Sequence, residues 1–360
     1  MRIVMFGILL VLLGCALVRP SAESATQREP DARSAKEFEV RQTEKLLGVK
    51  LQNFPEPQGV EGFDPLPANA PTSQFTVKQL SIRPAPINPE YGSRSFVKAK
   101  APDGSIYEGY SGHEVQQVIA GRPFASNSQN TRQMYETHHG YGFNPQDVYI
   151  GKRVDGRIRP ELFFRDVGSH SEAPFHFAVD SRGMVHLIIA DVNISQNNEL
   201  DLYWVIGDPR SGKWTAAWLI DHRGFTFASQ PWSAAWGDKL NVLWHWDAPG
   251  KNRKHARDVG IFYVQWSPAG FGRKERVIEE TPSYWDAAID PRSGRVFLIY
   301  STNTGVWVTS RPEGGSWMRP SRVPDENENS SVFCSSTGDG GFIIKTRFHQ
   351  VRQSLLRPID

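Results

Sequence analysis

Five short segments of this chain gather the side chains from which sugar chemistry is built. They are ETHHGYGF (Glu136 to Phe143), HSEAPFH (His170 to His176), SQPWS (Ser229 to Ser233), EETPSYWD (Glu279 to Asp286) and DENENSS (Asp325 to Ser331). Carboxylates, histidines, tyrosines and tryptophans concentrate there, and convergent polar groups with aromatic platforms suit a ligand offering hydroxyls at its rim and apolar C–H faces. Glu279 with Glu280, or Glu326 with Glu328, supplies the two carboxylates of a glycoside hydrolase, although acidic loop runs are more often simply solvated. A lyase acting on acidic polysaccharide needs a cation beside the uronate and a His or Tyr to take the C5 proton, for which His170, His139 and Tyr284 are candidates.

The remaining histidines read as structural: His176 and His186 alternate within apolar runs, and His245 lies between Trp244 and Trp246. His138 and His139 with His170 suggest zinc ligands, but neighbours on a strand face opposite ways, so at most one of the pair reaches a shared centre. No metal and no other cofactor is expected. Glycine-rich phosphate loops, serine nucleophile elbows and Cys-x-x-Cys pairs do not occur. Cys334, in SSVFCSS with no histidine close by in sequence, reads as a small buried apolar residue.

The elements that position these segments come from a chain of 360 residues with 41 Lys plus Arg against 39 Asp plus Glu and a net charge of +2. The charges are mixed along the chain, and no block of like charge marks a nucleic-acid arm, so nucleic acid is not an expected partner. Residues 1–25 place one Arg before an apolar run from Ile3 to Val18 that gives way to small and polar residues, which reads as an export signal cleaved near Ser24. The run is shorter than the roughly 20 residues of a transmembrane span. Leu12-Leu13-Gly14-Cys15 is similar to a lipobox with a larger residue than usual at Leu13, so lipid anchoring through Cys15 and loss of Cys15 with the signal stand as alternatives. A periplasmic, extracellular or surface-anchored monomer is expected, its stability resting on its core rather than on disulfides. Residues 26–90 are charged and then carry eight prolines between Phe54 and Pro89, a linker or strap, and residues 91–360 form the folded domain.

Self-similarity sets the architecture of that domain. Ala178 to Ile188 (AVDSRGMVHLI) and Ala288 to Ile299 (AIDPRSGRVFLI) each join two apolar strands by an Asp-plus-Gly turn. Looser copies run from Ala235 to Trp246 and from Ser331 to Ile344, and a weaker hairpin spans Asp147 to Phe164. Downstream of three copies an aromatic residue precedes a Pro by five, as Trp204 and Pro209, Tyr263 and Pro268, Trp307 and Pro312. Aligning Tyr149, Trp204, Tyr263 and Trp307 gives units holding an inner and an outer hairpin. Four short antiparallel strands per unit predict an all-β propeller of five or six blades, because one such sheet cannot bury both its faces alone. The five polar segments then precede the innermost strands and line a funnel on the axis.

GDPRSGKW (Gly207 to Trp214) and SRPEGGSW (Ser310 to Trp317) resemble degenerate Asp-boxes, the hairpins of the bacterial-neuraminidase-repeat, sialidase-like propellers. The run from His170 to Ile188 is similar to a stretch in uncharacterised and polysaccharide-lyase members. The box Asp is replaced by Pro209 and Pro312, and the box is in any case a structural turn. The resemblance implies a carbohydrate ligand in the axial funnel. Sialidase chemistry would take Arg165, Arg223 and Arg347 as carboxylate clamps, Tyr284 with Glu172 as nucleophile pair and Asp286 as acid, but the Phe-Arg-Ile-Pro motif of sialidases is absent. Two function classes remain open. In the first, a glycan-active hydrolase or lyase works through His170, Glu172, Tyr284 and Asp286, with His139, Arg165, Arg223, Trp232, Glu280 and Glu328 as ligand contacts. In the second, a non-catalytic scaffold propeller binds glycan or protein.

Overall fold

The computed structural model describes residues 44–45, 48–53, 64–84, 96–111, 148–154, 157–164, 175–193, 199–225, 231–246, 259–326, 330–348 and 350–359. Three strands come first, β1 (Leu51–Asn53), β2 (Asp64–Pro65) and β3 (Phe75–Pro84). The first blade is β4 (Phe96–Lys100), β5 (Ile106–Ser111), β6 (Val148–Val154) and β7 (Arg157–Phe164). The second is β8 (Phe175–Val179), β9 (Val185–Asn193), β10 (Glu199–Asp208) and β11 (Lys213–Phe225). The third is β12 (Trp232–Trp236), β13 (Lys239–Trp246), β14 (Gly260–Ser267) and β16 (Glu275–Ile278), with β15 (Gly270–Phe271) paired to β14. The fourth is β17 (Tyr284–Ile289), β18 (Val296–Thr302), β19 (Gly305–Arg311) and β20 (Ser321–Arg322). The fifth joins β21 (Ser331–Ser336), β22 (Phe342–Arg347) and β23 (Gln350–Pro358) to β3, which supplies its outermost strand.

The strands of each blade pair antiparallel, the first four blades run outward in chain order and the fifth does so up to β23 before β3 closes it, and the inner strands β4, β8, β12, β17 and β21 touch one another in succession. The chain is a β-propeller with five blades among the described residues. Tyr149, Trp204, Tyr263 and Trp307, aligned from sequence, all fall on the third strand of their blades.

Stacked blades explain why the middle strands are apolar without a break. Successive side chains point to opposite faces, and each face meets a different neighbour. On β9, Val185, Leu187 and Ile189 pack toward the first blade, whereas Ile188 and Ala190 pack toward the third. Two further clusters fill the interfaces between the third and fourth and between the fourth and fifth blades. The aromatics that end the two box-like hairpins belong to this packing, Trp214 between the first two blades and Trp317 between the third and fourth.

The recurrent turn chemistry has a local cause as well. Asp180 accepts hydrogen bonds from the backbone N–H groups of Arg182 and Met184, both at 2.9 Å. Asp290 accepts from Ser293 N–H at 3.2 Å and Asp103 from Ser105 N–H at 2.9 Å. An Asp opening an inner hairpin thus holds its own turn closed.

The chain ahead of the first blade pairs with outer edges in blade order. β1 adds in parallel to β11, β2 in parallel to β16, Thr72 bridges Arg319, and β3 pairs antiparallel with β23. Edge strands that would otherwise offer unpaired backbone groups are covered in this way.

Candidate functional site

Because every blade has the same strand order, the inner strands run in the same direction and begin at one end of the axis, here called the upper face. Trp232 opens β12 and Tyr284 opens β17, so both stand at this face, Tyr284 at 47% exposure and Trp232 packed partly into the cluster between the third and fourth blades. Asp286 lies two residues further along β17. Arg223 lies on β11, away from the inner strands. His139, Arg165, His170, Glu172 and Glu328 fall outside the described residues. Of the expected residues, Tyr284 and Asp286 share one face of β17, the face turned to the fifth blade.

Two partly buried side chains on inner strands tie neighbouring blades together. His176 Nδ1 accepts a hydrogen bond from Ser233 N–H on the next blade at 3.1 Å, and burial lowers its pKa to about 4, so the ring is neutral. Asp286 accepts from Cys334 N–H across the interface and from Ala287 N–H, both at 2.8 Å. The residue keeps some exposure, yet the two blades close on its carboxyl and desolvation pushes the pKa up to about 7, against the opposing pull of those two donors. Desolvation likewise raises the Cys334 thiol, which makes it a poor nucleophile and agrees with its reading as a packed residue.

A cavity of about 540 Å³ opens on the upper face between the third and fourth blades, lined by Val277, Ile278, Glu279, Glu280, Tyr300 and Trp307, with Leu66–Pro67 and Arg319–Pro320 along its outer side. β16 ends at Ile278, and the connection to β17 carries the two glutamates across its mouth. The end of β18 brings Tyr300 and the start of β19 brings Trp307, whose indole N–H donates to Thr304 Oγ1 at 3.3 Å. Gly260 makes this arrangement possible. It has φ +131°, and a Cβ there would lie 1.8 Å from the Ile278 carbonyl oxygen, so only glycine lets β14 pass beneath the strand end that carries the glutamates. At the opposite end the same two blades are tied by ion pairs from Lys239 to Glu313 and from Arg311 to Glu275.

Electrostatics single out two groups in the cavity. Desolvation raises the Glu280 pKa, and desolvation together with the Glu280 charge raises that of Tyr300, whose hydroxyl therefore remains protonated. Among the described residues, Glu280 is the one expected ligand residue that lines the cavity. Tyr300 and Trp307 do not stand out as ligand groups in the sequence because both sit in strands whose other residues are core. The sequence signal available is their position, an aromatic next to a polar strand end.

No protein-family model matches this sequence, and no curated protein matches it. Among solved structures, a protein of unknown function from Dyadobacter fermentans is similar over 79% of this chain and 99% of its own, at 10% identity and a TM-score of 0.42. A subtype N10 neuraminidase-like protein of a little yellow-shouldered bat isolate is similar over 73% of this chain and 80% of its own, at 8% identity and a TM-score of 0.38. The fucose-recognising six-bladed propeller lectin of Aleuria aurantia is similar over 57% of this chain and 68% of its own, at 13% identity and a TM-score of 0.31. Likeness this distant carries nothing about ligand or activity, and the propeller architecture rests on the five sheets themselves.

Proposed function

We propose that this protein binds a carbohydrate in the cleft between its third and fourth blades, on the upper face. The observation that carries this reading is the composition of the cleft: a Trp307 ring and a Tyr300 hydroxyl beside two carboxylates, in a space of about 540 Å³. That volume lies within the roughly 300–1,000 Å³ of small-molecule sites. A pyranose presents an apolar C–H face to an indole and hydroxyls to carboxylate and phenol, so the two kinds of group are used together. The two outer hairpins ending in Trp214 and Trp317 support kinship with the Asp-box propellers, and the apolar run from Ile3 to Val18 supports export.

A glycan panel tests the reading. The protein is expected to retain a subset of immobilised glycans, and Trp307→Ala to weaken that binding at least tenfold, about 1.4 kcal/mol, with the thermal transition kept. Unchanged binding by Trp307→Ala would remove the cleft from the account. The same panel, read for new reducing ends and for absorbance of an unsaturated product, separates hydrolase, lyase and binder.

A further inference from the structure

Tyr300 is 2% exposed and lines the cleft, yet its hydroxyl has no hydrogen-bond partner among the described residues. Buried tyrosine hydroxyls ordinarily find one. The hydroxyl oxygen is not among the side-chain atoms sealed from solvent, so it faces the cleft and can donate to a ligand acceptor there.

Charge narrows what that is. Neither Glu279 nor Glu280 has an ion-pair partner among the described residues, and both stand at the mouth. The nearby guanidinium groups are engaged with backbone carbonyls instead, Arg319 with that of Ala68 and Arg276 with those of Val259 and Glu279. Both glutamates are exposed at the mouth, so their paired negative charge attracts a ligand cation without any relief of burial. An ammonium group also gains from the electron-rich face of a neighbouring indole.

Resting on the carbohydrate reading above, we infer that the ligand of this cleft is an amine-bearing sugar, a hexosamine unit whose ammonium meets Glu279 and Glu280 while a ring oxygen or hydroxyl accepts from Tyr300. Acetylating the amine removes the charge, and a uronate would set a third carboxylate against the first two.

Calorimetric titration of the full chain with a glucosamine hexamer, its N-acetylated counterpart and a galacturonate hexamer tests the inference. The free-amine oligomer is expected to bind at least tenfold more tightly than the acetylated one, with galacturonate weakest. Glu280→Gln is expected to abolish that preference, while Tyr300→Phe weakens both glucosamine ligands alike. Equal affinity for the free and acetylated oligomers, tighter binding of galacturonate, or a preference that survives in a folded Glu280→Gln variant overturns the amine assignment and leaves the carbohydrate reading standing. Failure to bind any of the three, with silence across the wider glycan panel, overturns both.

Discussion

At the residue scale, the Asp286 carboxyl joins two blades. Its carboxyl accepts backbone hydrogen bonds from its own blade and the next, and burial holds its pKa near 7 rather than at the ordinary 3.8. A carboxyl raised on folding contributes stability that is fully present below pH 4 and lost as the pH rises through 7. His176 and His245, both lowered to about 4 by burial, slope the opposite way, since protonating them between pH 6.5 and 4 favours the unfolded chain. The Asp286 contribution is therefore read as a difference between proteins. Denaturant unfolding of the wild type and Asp286→Asn across pH 4–8 is expected to show a stability gap that shifts in favour of Asn as the pH rises, by at most about 1.4 kcal/mol per pH unit. A gap independent of pH would mean that the carboxyl does not titrate in this range. His186 illustrates a satisfied core histidine: Trp204 donates to Nδ1 at 3.2 Å, which leaves Nε2 to donate to Asp180 at 3.2 Å and fixes the neutral tautomer.

At the scale of elements, the inner hairpins were legible because their Asp-plus-Gly turns recur and because strands buried on both faces are continuously apolar. The Gly-x-Trp endings were legible for a similar reason, since Trp317 is 1% exposed in the interface between the third and fourth blades. Trp317→Ala removes a large ring from that interface and is expected to cost about 3–5 kcal/mol, seen as an earlier denaturant midpoint. A loss below 1 kcal/mol would show that the hairpin packs independently of its neighbour. The cleft was less legible. Its floor uses Val277, Ile278 and Tyr300, which are ordinary strand residues in sequence, and Leu66 and Pro67 lie more than 200 residues before the glutamates opposite them. Only the acidic connection Glu279–Glu280 stood out by composition, and spacing along one chain carries no sign of which blade interface stays open.

At the scale of the whole molecule, the segments before the first blade lace the later blades together. β1, β2, Thr72 and β3 pair with the second, third, fourth and fifth blades in turn, and β3 completes a sheet whose other strands are the last in the chain. This arrangement puts Leu66 and Pro67 on the outer wall of the cleft, so the proposed ligand site draws on both the blades and the segment that borders them. It also separates two places on the upper face where a sugar could sit: the axis, near Tyr284 and Trp232, and the cleft between the third and fourth blades. Hydroxyl-radical footprinting of the protein with and without a bound glycan from the panel distinguishes them most directly. Protection of Trp307 and of Pro67, with Tyr284 still reactive, is the result expected. Protection of Tyr284 and Trp232, with Trp307 unchanged, would place the ligand on the axis and contradict the account.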